Sequence, residues 1–109
     1  ANARTMEVAL ANLRTGAVAP AARDDVRGRF RTGDAIGFVD DELIAWGDPS
    51  ETLRNVFERL SDDAELITCL RGADAPLDDD AVHELAADGV ELELSVGGQP
   101  KYWWLLSAE

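Results

Sequence analysis

Residue types that commonly carry out chemistry are sparse in this chain. His83 is the only histidine and Cys69 the only cysteine, whereas catalysis by a side-chain triad needs a nucleophile, a base and an orienting group. His83 lies beside an apolar helical stripe rather than within it, which indicates a solvated surface histidine. Cys69 lies in an apolar run, where burial would raise the thiol pKa and reduce its reactivity. The sequence therefore predicts no catalytic residue.

Acidic clusters and glycines could instead indicate a metal or phosphate site. The clusters at residues 40–42, 62–63 and 78–80 lack the alternating Asp-x-Asp-x-Asp-Gly spacing that surrounds calcium. His83 with Asp80 and Glu84 makes a weak ligand set. Gly72-Ala73-Asp74 follows a predicted strand, where backbone amides can bind phosphate, but it matches no nucleotide-binding pattern. We expect neither a metal ligand nor a cofactor site in this chain.

A cluster of arginines favours an interaction surface. Arg23, Arg27, Arg29 and Arg31 are four of the ten basic residues of an otherwise acidic chain. From Val26 to Arg31 they alternate with other residues, so they would share one face of a strand. Such a face can dock an acidic partner or a phosphate. A solvated edge strand, protected by its charge, explains the pattern equally well.

A second candidate surface lies near the end of the chain. Tyr102, Trp103 and Trp104 are adjacent, so they cannot all point to one side of a strand. Either a helix covers the other side, or an aromatic ring is left for a neighbouring domain or a partner.

Composition bounds the class of protein. The 109 residues suit one domain, and 46% hydrophobic residues can form a core without disulfides or metal. The formal charge of −12 argues against nucleic acid and against an anionic membrane surface. No apolar stretch reaches the roughly 20 residues that cross a bilayer. The single cysteine fits a reducing compartment, so we expect a cytoplasmic protein without membrane insertion.

Hydrophobic periodicity predicts three helices. The first covers residues 2–14 and ends at Gly16. Asp48, followed by a proline, caps the second. Asp78 can cap the third, which ends at Gly89.

The predicted strands cover residues 17–23, 35–39, 43–46, 66–70, 90–96 and 101–107. Pro20 should hold the first of them to a sheet edge or a bulge. The second and third flank the acidic turn 40–42 and form a hairpin. Residues 66–70 are almost continuously apolar, as in a strand covered on both faces, and residues 66–96 form a parallel βαβ unit. The expected fold is α/β of the mixed α+β kind, with five or six strands and two or three helices.

Several segments carry a family pattern. They are Arg14-Thr15-Gly16 with Val18, Ala22-Arg23-Asp24, the G-D-x-I-G-x-V-D pattern of residues 33–40, Leu66-Ile67-Thr68, and Gly72-Ala73-Asp74. The most specific is the closing G-G-Q-P-x-Y of residues 97–102. In this order they resemble the C-terminal end of the fatty acid kinase large subunit family, whose members are also described as dihydroxyacetone kinase-like, or DAK phosphatase, proteins. The chain departs from that pattern at Trp103, where relatives often have proline.

The resemblance implies that residues 1–109 form a single C-terminal domain of a larger bacterial protein. It implies a DegV-like fold for this end, preceded by an ATP-binding kinase domain and a middle domain. It further implies that the parent protein is an ATP- and magnesium-dependent kinase, which phosphorylates a fatty acid held by an acyl-binding DegV-family partner. The ATP and magnesium ligands have no counterparts in this chain.

Two functions are expected from these observations. The first is a non-catalytic accessory domain that docks the DegV-family partner or a neighbouring domain. The second is a domain that itself binds an acyl chain. The candidate partner-binding residues are Gly97, Gly98, Gln99, Pro100, Tyr102, Arg27, Arg29 and Arg31.

Overall fold

The computed structural model describes residues 14–62, 64–86 and 89–109. Within these ranges the fold is a mixed sheet of six strands with two helices, which confirms the predicted class. The strands are β1 (Arg14–Pro20), β2 (Ala35–Val39), β3 (Glu42–Gly47), β4 (Leu66–Arg71), β5 (Glu91–Val96) and β6 (Trp104–Ala108). The helices are α1 (Pro49–Ser61) and α2 (Asp79–Leu85).

The strand order is β3-β2-β1-β6-β4-β5. β4 and β5 are parallel, and every other neighbouring pair is antiparallel. The parallel pair is joined through α2, which confirms the βαβ unit. β2 and β3 form the predicted hairpin around Asp40 and Asp41, both of which have positive φ, 51° and 67°. Positive φ at both central residues is typical of a type I′ turn, whose twist matches that of the strands.

α1 begins as the sequence predicts. The Asp48 carboxylate accepts a hydrogen bond from the Glu51 amide at 3.1 Å, and Pro49 is the first helical residue. An N-cap of this kind satisfies one of the amides that the first turn leaves without a partner. The helix buries one face, formed by Thr52, Leu53, Val56, Phe57 and Leu60.

Small residues in the sheet let α1 approach closely. A Cβ at Gly16 would lie 2.8 Å from Leu60 Cδ1 and 2.9 Å from Val56 Cγ1. At Gly37 it would lie 2.8 Å from Thr52 Cγ2. Both distances are shorter than carbon–carbon contact allows, so glycine sets the spacing between the helix and β1 and β2.

α2 is capped by Asp78, whose carboxylate accepts from the Ala81 amide at 2.8 Å. It ends at Leu85. The prediction that it continues to Gly89 is wrong, because Ala86 is already extended, although Gly89 does have the positive φ, 84°, expected of a terminating glycine. Val82 joins the same core as α1, so both helices pack on one side of the sheet.

Two predictions about the start of the chain need correction. The helix predicted for residues 2–14 lies outside the described residues except for Arg14, which begins β1, and Gly16 is within that strand. β1 is central rather than at an edge. Pro20 is tolerated there because alternate residues bond to alternate neighbours: Thr15 and Ala21 bond to the β2 side, whereas Val18 bonds to the Trp103 amide. Pro20 therefore faces β6 beyond the last pair, Val18 with Trp104.

Candidate docking surface

One face of the sheet lies opposite the helices. Because Gly37 faces α1, its neighbours Ile36 and Phe38 point to the other side. Strand register aligns Phe38 with Ala17, Ala17 with Leu105, and Leu105 with Leu70 in one row across four strands. We call this the open face, and define it by Ala17, Ile36, Phe38, Trp46, Leu70 and Leu105.

The open face is apolar and partly accessible. Trp46 is 42% exposed and Leu70 38%. A groove of about 330 Å³ on this side is lined by Ala17, Phe38 and Leu105, with Tyr102 at its border. The prediction that β4 is covered on both faces is therefore wrong within the described residues, since both helices lie on the side of Cys69.

The three adjacent aromatic residues divide between these surroundings. Trp104 is fully buried in the core under the helices. Trp103 is half-buried and packs edge-on against it, with the ring centroids 6.3 Å apart. Tyr102 remains 41% exposed and lines the groove of the open face. One ring is thus left at the surface, as the second of the two alternatives from the sequence requires.

The arginines lie in a loop rather than a strand. We call residues 21–34, between β1 and β2, the arginine loop. The amide of Asp25 donates to the carbonyl of Phe30, and Gly28, with φ 77°, donates back to the Asp25 carbonyl. The prediction that the arginines share one strand face is wrong because Asp25 closes a turn. Its carboxylate accepts the Arg29 amide at 3.1 Å.

Arg29 connects the loop to the open face. Its Nε donates to Asp25 Oδ2 at 2.6 Å, and its guanidinium lies over the Trp46 ring, 5.6 Å from the centroid. The hydrogen bond from Arg29 lowers the pKa of Asp25 from its ordinary value to about 2. Of the predicted contact arginines, Arg29 is therefore occupied within the domain and positions the loop.

The other arginines point their charge outward. Arg23, Arg27 and Arg31 are exposed, and none forms an ion pair with a residue in the described ranges. The acids of the loop are engaged locally. Asp24 accepts the amide and hydroxyl of Thr32, which lowers the Asp24 pKa, and Asp34 accepts the Arg31 amide.

The G-G-Q-P-x-Y motif forms a turn that grips the end of β4. The Gln99 side chain donates to the Leu70 carbonyl at 2.9 Å, and the amides of Gly97 and Gly98 donate to the Arg71 carbonyl. Gly98 has a positive φ of 70°. The structure thus turns the Gln99 amide towards its own chain, while Gly97, Gly98, Pro100 and Tyr102 are exposed.

The residues that could carry chemistry remain apart. Burial, and then the charge of Asp79, raise the pKa of Cys69 to about 12, so its thiol is protonated at neutral pH. His83 is exposed on α2. In residues 14–62, 64–86 and 89–109, no three His, Cys, Asp or Glu side chains lie close enough to hold a metal ion.

Comparison with protein families gives one match over residues 1–109, to the FakA-like C-terminal family, which is described as the C-terminal part of a fatty acid kinase large chain of the FakA type. The chain belongs to this family. It is therefore an accessory domain of a fatty acid kinase-like protein, as the resemblance implied. Comparison with curated proteins finds no match. Among the described residues of this FakA-like domain, no helix has the length and apolarity to span a membrane.

The motifs that carry the family resemblance have structural roles here. Gly16 and Gly37 accommodate α1. Asp34 and Asp40 bind backbone amides of nearby turns, Asp40 by accepting from Thr15 at 3.1 Å. Gly72 accommodates the backbone of Tyr102.

Sequence reasoning missed the extent of the open face. Its signal was available in β2 and β4, which are apolar at successive positions and so present apolar side chains to both sides of the sheet. Two short helices in the described chain cover one side of six strands.

Proposed function

We propose that this domain docks an acyl-binding DegV-family protein and so brings a bound fatty acid to the kinase domain of the parent protein. The observation that carries the proposal is the open face, an apolar surface bordered by Tyr102 and the arginine loop. Exposed apolar patches of this kind, bordered by polar residues, are typical of protein–protein interfaces. A neighbouring domain of the parent protein is the other candidate occupant.

The contacts suit an interface better than an active site. Trp46 and Tyr102 present large, rigid rings, which are enriched among the residues that dominate binding energy. Both belong to strands or turns fixed by the sheet, so little conformational entropy is lost on docking.

Direct binding of an acyl chain is the second candidate function. The groove of about 330 Å³ on the open face is at the lower end of the range for small-molecule sites. Other concavities are more polar: one of about 680 Å³ beside α1 is lined by Asn55, Glu58 and Arg59, among others. The groove is thus where an acyl chain would bind if the domain holds one.

Calorimetry separates the two functions. The 109-residue chain is titrated with a purified DegV-family protein loaded with fatty acid and, separately, with free oleate. We expect heat of binding with the protein and none with oleate. Saturable oleate binding without protein binding would contradict the proposal and favour the alternative.

A pair of variants tests the surface. Leu70→Glu places a charge on the open face at a position already 38% exposed, and should weaken docking at least about tenfold. Val96→Glu is the matched control, because Val96 is 72% exposed and aligns with Arg71, on the opposite side of the sheet from Leu70. Equal affinities for the two variants would locate docking elsewhere.

A further inference from the structure

We infer that the arginine loop recognises a carboxylate-rich patch on the surface of the docked protein, next to the apolar contact made by the open face. The inference rests on the proposed docking function and specifies the chemistry of its partner. It assigns to Arg23, Arg27 and Arg31 a role in steering and specificity.

The charge distribution favours an acidic partner. The chain as a whole carries −12, yet residues 21–34 contain four arginines against three aspartates. The aspartates are held to the loop itself, with the Asp25 side chain only 8% exposed. The arginines at 23, 27 and 31 extend into solvent. A partner approaching this corner therefore meets positive charge on a domain that is negative elsewhere.

The loop is placed and stiffened for recognition. Arg29, between Asp25 and Trp46, fixes it beside the open face. Thr32, Gly33 and Asp34 close its base through hydrogen bonds to Asp24, Ala21 and Arg31. An ordered loop holds the guanidinium groups in place, so less entropy is lost when they bind carboxylates.

Val26 supplies an apolar contact at the tip. It is 99% exposed between the turn residues Asp25 and Arg27, so its side chain contributes nothing to the core of the domain. An apolar side chain flanked by arginines fits a partner surface with a small apolar depression among acids. The high negative charge disfavours the other class of anionic surface, a phospholipid bilayer, which would repel the rest of the domain.

Association kinetics test the inference. The full chain and its Arg27→Glu variant are measured against the fatty acid-loaded DegV-family protein at 50 and 300 mM NaCl. We expect Arg27→Glu to slow association by about tenfold at low salt, and the difference to shrink at high salt, because exposed charges are screened. Arg54→Glu, an exposed arginine of α1, is the matched control for net charge and should change the rate less than about twofold.

The outcomes distinguish the two levels of the proposal. If Leu70→Glu weakens binding while Arg27→Glu and Arg54→Glu behave alike, docking stands and the arginine loop has no specific role. If neither Leu70→Glu nor Arg27→Glu changes binding, the docking function itself is wrong. Binding of the chain to vesicles with 30% phosphatidylglycerol, lost in Arg27→Glu, would assign the loop to a membrane and overturn the inference.

Discussion

Gly72 illustrates how a single residue holds together two distant parts of the chain. Its amide donates to the Trp103 carbonyl at 2.7 Å, and a Cβ there would collide with the carbonyl oxygen of Tyr102. Gln99 and Gly97 complete the contact by bonding to the carbonyls of Leu70 and Arg71. The closing motif therefore acts through backbone approach, and Gly72 is the position that this approach depends on.

We predict that Gly72→Ala destabilises the domain by about 3 kcal/mol, at the upper end for overpacking, because a backbone carbonyl cannot move aside as a side chain can. Gly98→Ala is the comparison. Gly98 has a positive φ but no atom within 4 Å of the added Cβ, so it should cost only the about 1–2 kcal/mol of a left-handed residue. Urea denaturation of both variants measures the difference. Equal losses would show that the approach of Tyr102 is not what selects glycine.

The Asp25 carboxyl gives the arginine loop a pH dependence. Its pKa is about 2 in the folded domain, held down mainly by the Arg29 hydrogen bond, against about 3.9 in an unfolded chain. A lowered folded pKa contributes stability that is fully present above about pH 4 and is lost as the pH falls towards 2. We expect Asp25→Asn to lower the denaturation midpoint at pH 6, and the two proteins to converge as the pH approaches 2. A constant gap between them across this range would contradict the assignment. Arg29→Gln should behave as Asp25→Asn does.

At the scale of elements, α1 combines a strong start signal with an unusually close seat on the sheet. The Asp48 cap and Pro49 determine where it begins. Gly16 and Gly37 determine how near it lies to β1 and β2. The cap is a local interaction, whereas the seat depends on three elements meeting.

We expect Asp48→Ala to cost about 1 kcal/mol of unfolding free energy, the usual value of an N-cap. Glu58→Ala, at an exposed position in the same helix, is the control and should lie within about 0.5 kcal/mol of the native chain. Docking affinity should not change in either variant, because α1 lies on the side of the sheet away from the open face. An unchanged midpoint in Asp48→Ala would mean that the cap contributes nothing to folding.

The elements that could be predicted from sequence are those with local causes. Asp48 and Asp78 mark both described helix starts, and alternation in residues 90–96 marks β5, because capping and periodicity involve neighbours in sequence. Gly16 was assigned to the end of a helix because glycine satisfies both a helix terminus and a close helix–sheet contact. Arg27, Arg29 and Arg31 alternate as a strand would, but the hydrogen bonds of Asp25 to Arg29 and Phe30 stabilise a turn, which periodicity does not report.

At the scale of the whole molecule, the candidate surface depends on where each helix packs. The sequence indicates that an aromatic ring near residues 102–104 has no place in a single-sided core. It does not indicate which ring, since adjacent residues point to opposite sides and only the packing of α1 decides which side is buried. Trp46 and Leu70 become surface residues for the same reason.

The last prediction concerns the domain as a whole: alone, it should not bind ATP. No segment has a nucleotide-binding glycine pattern, and Asp74, Asp78, Asp79 and Asp80 surround the loop after β4, where the charge of a triphosphate would be repelled. A ligand present at about 100 times its Kd stabilises the native state by about 2.7 kcal/mol. For a domain of this size that corresponds to a rise in Tm of about 10 °C or more, so a thermal shift assay at 5 mM Mg-ATP would detect even binding in the tens of micromolar. We expect no shift beyond that of magnesium chloride alone, which controls for cation binding to the acidic surface. A rise in Tm with Mg-ATP but not with magnesium would show that this domain contributes to the nucleotide site of the kinase.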